Sequence, residues 1–138
     1  MRVAIGDTVT GDAIVVDAEK MKIMAALLED PNPIHWDTRV VAQLGLGDAP
    51  VNQGPLNMGY IQSMLADWAG GRDRIRDFRS RFLGNVFGGQ TVRAGARVTA
   101  IDQAVDGGLL VGCDVWLDVL DAERAVTGTA TVYLDNNE

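Results

Sequence analysis

The six residues from Asp30 to His35 read Asp-Pro-Asn-Pro-Ile-His and include the only histidine of the chain. Each proline restrains the residue before it to an extended conformation, so the segment forms a rigid corner that carries a carboxylate and an imidazole. A carboxylate and an imidazole are together sufficient to transfer a proton to and from a substrate. The segment therefore predicts a site for general acid–base chemistry.

Two predicted helices flank this corner. Apolar residues at helical spacing within Val15–Leu28 predict the first helix, which ends before the corner. Asn32 followed by proline predicts the start of a second, short helix from about residue 33 to residue 44, which Gly45 closes. His35 then lies in its first turn, where the helix dipole disfavours the charged imidazolium and keeps a neutral base available at about pH 7.

A third predicted helix starts at Gly54-Pro55, carries a strong apolar stripe and ends before Gly70-Gly71. We interpret its stripe as core packing. Four β-rich runs follow, separated by turn residues: Arg74–Leu83, Gln90–Ile101, Leu109–Leu120 and Ala125–Leu134. A first strand within Thr8–Val16 would make five. Consecutive strands after a long apolar helix predict an α+β protein with an antiparallel sheet packed on that helix.

Composition narrows the class of protein. The 138 residues are 47% hydrophobic and 22% charged, which predicts a single folded domain over residues 1–138. A net charge of −7 disfavours nucleic acid as a partner. Cys113 is the only cysteine, so no intrachain disulfide or thiolate zinc cluster can form, and we expect a reducing, cytoplasmic location without a bound metal. We expect neither a signal peptide nor a membrane span.

Three stretches resemble the MaoC-like, or R-specific, enoyl-CoA hydratases in the expected order along the chain. Asp30–His35 matches the D-x-N-P-[LIV]-H centre of the family signature. Asn52–Leu56 resembles the H/Q-G-x-L start of the family's central helix, and Arg81–Val92 resembles its F-x-x-P-V-x-x-G-D-x-[LV] turn. The resemblance implies a hot-dog fold, in which a five-stranded antiparallel sheet wraps around a long central helix and two subunits commonly join their sheets.

The same resemblance implies the reaction and its residues. Asp30 and His35 match the catalytic pair that activates water, and the backbone N–H of Gly54 matches the donor that polarises the thioester carbonyl. Asn32 matches the signature asparagine, for which we expect a loop-fixing role. The implied activity is R-specific hydration of a trans-2-enoyl-CoA, or the reverse dehydration, with the coenzyme A or carrier-protein thioester as substrate and no separate cofactor.

Two alternatives remain open, namely a hot-dog acyl-CoA thioesterase and a subunit that completes a heteromeric hydratase. We expect a homodimer, or a heteromer with a related subunit. A chain of charge −7 needs local cations to bind a polyanionic carrier, and Arg79, Arg81 and Arg93 are predicted to supply them. The competing interpretation is that most arginines of this region lie on a solvated strand face and pair with Asp73 and Asp77.

Overall fold

The computed structural model describes residues 2–29 and 32–136. Its helices are α1 (Ala18–Leu28), α2 (Thr38–Gln43) and α3 (Gly54–Ala69). Its strands are β1 (Thr8–Thr10), β2 (Ile14–Val15), β3 (Ile75–Phe82), β4 (Thr91–Gln103), β5 (Leu109–Val119) and β6 (Arg124–Leu134). In the described chain the strands form one antiparallel sheet in the order β1-β4-β5-β6-β3, and β2 also pairs with β4. The sheet packs on α3, which confirms the α+β class and the hot-dog fold.

The core lies between α3 and the inner face of the sheet. Strand β5 alternates as its sequence predicts, with buried side chains at Val111, Cys113, Val115, Leu117 and Val119. The apolar stripe of α3 packs into the same cluster, with Ile61, Met64 and Leu65 buried and Trp68 partly buried. The interpretation of that stripe as core is therefore confirmed. None of the described helices is long and apolar enough to cross a membrane.

The first predicted strand is interrupted. Residues 8–10 and 14–15 pair with β4 as two separate strands, so the described sheet has six strands instead of five. Between them Gly11 donates its N–H to the Ala94 carbonyl at 2.9 Å. A Cβ built on Gly11 would lie 3.3 Å from Cγ of Met64, so the glycine lets this edge of the sheet approach α3 closely.

The prediction of one helix from residue 33 to residue 44 is wrong. A 3-10 turn covers Pro33–His35, and α2 begins only at Thr38. Asp37 between them is extended and accepts a hydrogen bond from the Arg39 N–H at 3.0 Å. An aspartate that caps a helix start competes with continuation of the preceding turn, which explains the break. The expectation that a helix dipole acts on His35 depended on this helix. It no longer applies, because a three-residue turn has only a small dipole.

Helix α1 is confirmed, but it begins three residues later than its apolar pattern suggests. Val15 belongs to β2, and Asp17 caps the helix by accepting a hydrogen bond from the Glu19 N–H at 2.9 Å. The helix ends at Leu28, and its C-cap Glu29, with a left-handed φ of 52°, turns the chain. The chain thus leaves α1 immediately before the predicted catalytic corner.

Candidate active site

The 3-10 turn Pro33–His35 carries the histidine into the interior. Asn32 precedes it in an extended conformation, and its Oδ1 accepts a hydrogen bond from the Ile34 N–H at 3.3 Å. His35 is only 8% exposed. Asn32 therefore caps the turn that holds the histidine, which is the geometry a loop-fixing residue requires. Asp30 lies outside the described residues, so its catalytic role stays a prediction.

A backbone carbonyl orients the imidazole. Nδ1 of His35 lies 2.7 Å from the carbonyl oxygen of Val51. Because a carbonyl oxygen can only accept a hydrogen bond, we assign the proton of the neutral ring to Nδ1. Nε2 then carries the basic lone pair, so the ring is set up to take a proton at that atom.

The segment that supplies this carbonyl, residues 50–54, is here called the linking segment. Val51 donates its N–H to the Ile34 carbonyl at 2.8 Å, and Asn52 donates its N–H to the Val86 carbonyl at 2.6 Å. Pro50 accepts a hydrogen bond from the Gly88 N–H at 2.9 Å. Because bonds on both sides hold it, the linking segment connects the histidine to the start of α3 with little freedom.

Gly54 is the first residue of α3. First-turn N–H groups have no acceptor within their own helix, and the next residue, Pro55, has no N–H, so Gly54 presents a donor at the positive end of the helix. A Cβ built on Gly54 would lie 3.0 Å from Cζ of Phe82. The glycine therefore leaves room beside this donor that any side chain would fill.

Two residues with buried carboxamides directly precede Gly54. Asn52 donates from Nδ2 to Oδ1 of Asn57 at 2.7 Å, and Gln53 donates from Nε2 to the Met21 carbonyl at 2.7 Å. The oxygens of both donating side chains, Oδ1 and Oε1, are buried without a hydrogen-bond partner in the described structure. Tyr60 lies on α3 about one turn after Asn57. Burial raises the pKa of Tyr60, and a hydrogen bond with the Asn52 side chain lowers it in part. Each of the two unpartnered oxygens lowers the stability of the fold by about 1–3 kcal/mol. Asn52 and Gln53 are therefore candidates for a functional role.

The sequence reasoning did not assign these amides a role, although a signal existed. Asn57 shares one helix face with Ile61 and Leu65, at intervals of four residues, and all three are buried. A polar residue on the apolar face of a helix needs a buried partner. That pattern could have identified Asn57 and, through it, the polar cluster around the linking segment.

The predicted carrier-binding arginines lie elsewhere. Arg79 and Arg81 are exposed and line a groove of about 780 Å³ on the outer face of the sheet, together with Arg97 and Arg124. Phe82, the residue after Arg81, reaches Gly54 on the inner face instead. Successive side chains of a strand point to opposite faces. The edge strand β3 therefore separates Arg79 and Arg81 on the outer face from Phe82 and Gly54 on the inner face.

Arg93 lies on the same outer face, opposite Asp118 in the β4–β5 register, but Asp118 binds Arg124 at 2.7 Å. Arg79 lies 3.9 Å from Asp77, in line with the solvated-face interpretation, whereas Arg74 pairs with Asp135 at 2.9 Å instead of Asp73. Among the described carboxylates none is within 4.0 Å of the guanidinium groups of Arg81 and Arg93. Arg81 and Arg93, like Arg97 in the groove, are therefore exposed cations of this face that an anion can reach.

Comparison with known proteins identifies the family. The model of the MaoC like domain matches residues 2–110, which is most of the chain. The chain therefore belongs to the MaoC-like hydratase and dehydratase family, and the resemblance noted from its motifs is confirmed. No curated protein sequence gives a significant match.

Solved structures agree with this assignment. The (R)-hydratase from A. caviae involved in PHA biosynthesis is 26% identical, with a TM-score of 0.81 over 96% of this chain and 97% of that one. The MaoC-like dehydratase from Rhodospirillum rubrum is 21% identical, with a TM-score of 0.80 over 99% and 95% of the two chains. The ChsH1-ChsH2 complex from Mycobacterium tuberculosis is similar at 18% identity, with a TM-score of 0.78 over 96% and 99%. The last two show the shared fold.

Proposed function

We propose that this protein hydrates trans-2-enoyl thioesters to R-3-hydroxyacyl thioesters, or catalyses the reverse dehydration. The observation that carries the proposal is the hydrogen bond from Nδ1 of His35 to the Val51 carbonyl, which leaves Nε2 as the basic atom of the ring. Val51 lies three residues before the Gly54 donor. A base and a carbonyl-polarising donor held by one short segment are the two functions that water addition to an enoyl thioester requires.

In this proposal Nε2 of His35, together with Asp30, takes a proton from water while the water oxygen bonds to C3 of the substrate. The electron pair of the C2–C3 double bond moves towards the thioester carbonyl, and the developing enolate oxygen accepts a hydrogen bond from the Gly54 N–H. Return of the proton to C2 completes the addition. Dehydration runs the same steps backwards.

The thioester carrier is proposed to pass from one face of the sheet to the other at the C-terminal end of β3, where Phe82 lies. Phe82 and Gly54 lie on one side of this strand, and Arg79 and Arg81 lie on the other. A long phosphopantetheine arm could leave the reacting end on the inner side and place phosphates at the exposed arginines. Arg93 is proposed as a further contact for the same phosphates.

Assembly through β3 is part of the proposal. This strand ends the sheet order, so its outer edge is available for pairing with a second subunit. Phe82 is 50% exposed although it touches Gly54, and a partner would cover it. The solved structures of similar fold include two complexes, ChsH1-ChsH2 and HadBC, so a heteromer with a related subunit stays a second candidate.

The purified chain, given one short and one long trans-2-enoyl-CoA, tests the proposal. We expect loss of the enoyl absorbance and, by chiral chromatography, the R-3-hydroxyacyl product. Release of free thiol without hydration would support the thioesterase alternative and contradict the proposal. A chain that is inactive alone and active only with a related subunit would support the heteromer.

A further inference from the structure

Gln53 makes an unusual connection from the start of α3. Its side chain is 1% exposed, and Nε2 donates to the carbonyl of Met21, a fully buried residue in the first turn of α1. The two residues are 32 positions apart in sequence. A single hydrogen bond therefore connects the residue before Gly54 to the helix that leads into the predicted catalytic corner.

This bond is not a helix cap. Gln53 occupies the N-cap position of α3, where a side chain commonly accepts a hydrogen bond from the first turn, but the Gln53 side chain makes no such bond. Its backbone carbonyl alone accepts from the N–H groups of Leu56 and Asn57, both at 3.1 Å. The Gln53 side chain therefore fixes where the start of α3 lies relative to α1.

The energetics also argue against a purely stabilising role. Oε1 of Gln53 is buried without a hydrogen-bond partner in the described structure, which costs about 1–3 kcal/mol. The bond made by Nε2 contributes about the same or less. An apolar side chain of equal length would therefore serve stability about as well, but it could not fix the distance between Gln53 and the Met21 carbonyl.

We propose that Gln53 is a positioning residue, which holds the Gly54 N–H in a fixed position relative to α1 so that this donor meets the substrate carbonyl while the base meets the water. The inference rests on the proposed function and deepens it. Misplacement of such a donor by about 1 Å is enough to lower turnover by about 10²-fold. Gln53 itself touches neither water nor substrate in this account.

The variant Gln53→Met tests the proposal, because methionine keeps the length and volume and removes both amide atoms. We expect kcat to fall at least tenfold with KM within about twofold of wild type, since the loss is confined to the transition state. The pH dependence of kcat stays unchanged, because the Val51 carbonyl and not Gln53 orients His35. The thermal unfolding midpoint stays within a few degrees of wild type.

Tyr133→Phe is the matched control. It removes one side-chain hydrogen bond, from the Tyr133 hydroxyl to Asp106 at 3.0 Å, at the other end of the sheet. We expect it to leave kcat unchanged. If Gln53→Met keeps kcat within twofold of wild type, or loses kcat only in proportion to unfolded protein, the proposal is overturned.

Wild-type turnover separates this inference from the proposed function. If the wild-type chain hydrates no enoyl thioester, the proposed function fails, and the positioning claim is then tested by NMR relaxation of the Gly54 amide. Increased motion of that amide in Gln53→Met supports positioning, and unchanged motion contradicts it.

Discussion

The inner and outer faces of the sheet handle polar groups in opposite ways. On the inner face, around the linking segment, the side chains of His35, Asn52 and Gln53 are buried, and each makes a short, directed hydrogen bond. On the outer face, Arg79 and Arg81 are exposed around an open groove. Directed bonds fix atoms in place, whereas exposed guanidinium groups attract anions without fixing them.

Because of this difference, we expect mutations on the two faces to change different kinetic parameters. Changes on the inner face alter the geometry of the reacting groups and are expected to lower kcat. Changes on the outer face remove attraction that ground state and transition state share, so they are expected to raise KM. Mutations on each face therefore test this division.

The largest effect is expected for His35→Ala. Loss of the general base lowers kcat for hydration by about 10²- to 10⁴-fold. We expect the fold to be retained, because His35 is not part of the hydrophobic core cluster, and circular dichroism checks this. Turnover close to wild type in a folded variant would remove His35 from the mechanism.

Gly54→Ala comes next. The added Cβ lies 3.0 Å from the Phe82 ring and displaces either the ring or the N–H donor, so we expect kcat to fall about ten- to a hundredfold. Phe82→Leu in the same chain makes room and should restore part of the activity. Equal activity of the single and the double variant would show that crowding by Phe82 is not the cause.

On the outer face, Arg81→Gln is expected to raise KM for acyl-CoA about two- to fivefold at low salt and to leave kcat unchanged. The difference should shrink as salt screens the phosphates. Lys22→Gln on α1, which removes an exposed cation that pairs with Glu19 at 3.0 Å, is the control and should leave KM unchanged. An Arg81 variant with unchanged KM at low salt, or a larger effect at Lys22, would contradict the placement of the carrier.

The smallest effect concerns Cys113, on the inner face but away from the linking segment. Burial raises the pKa of this thiol from 9.0 to about 11. The unfolded chain then loses the thiol proton at lower pH than the folded one, so the free energy of unfolding falls as the pH rises from about 9 to about 11. Urea unfolding should show this fall in the wild type and a smaller fall in Cys113→Val. Equal pH dependence of both chains would contradict it.

The sequence predicted the regular elements well, because their side chains follow simple periods. The alternation of β5 and the stripe of α3 both arise from burial against one core, which a periodic pattern reports directly. The helix expected from residue 33 to residue 44 was wrong because Asp37, a strong cap, restarts the helix at Thr38. Local competition between caps is not visible in hydrophobic spacing.

The candidate site was predictable only in part. The motif predicted site roles for Asp30, His35, Asn32 and Gly54, and these roles stay predictions. The orientation of His35 depends on a backbone group, the Val51 carbonyl, and every residue type has such a group. The bond from Gln53 to Met21 joins positions 32 apart, so no local pattern indicates it. Contacts of this kind need the fold before they can be recognised.

The orientation of His35 is the central claim, and the chain offers a direct measurement because it has a single histidine. Long-range nitrogen–proton NMR spectra of the 15N-labelled protein distinguish the two tautomers of the neutral imidazole. We predict a proton on Nδ1, held by the Val51 carbonyl, and an unprotonated Nε2. A neutral ring protonated at Nε2 would contradict the account, because that atom could no longer accept the proton of water.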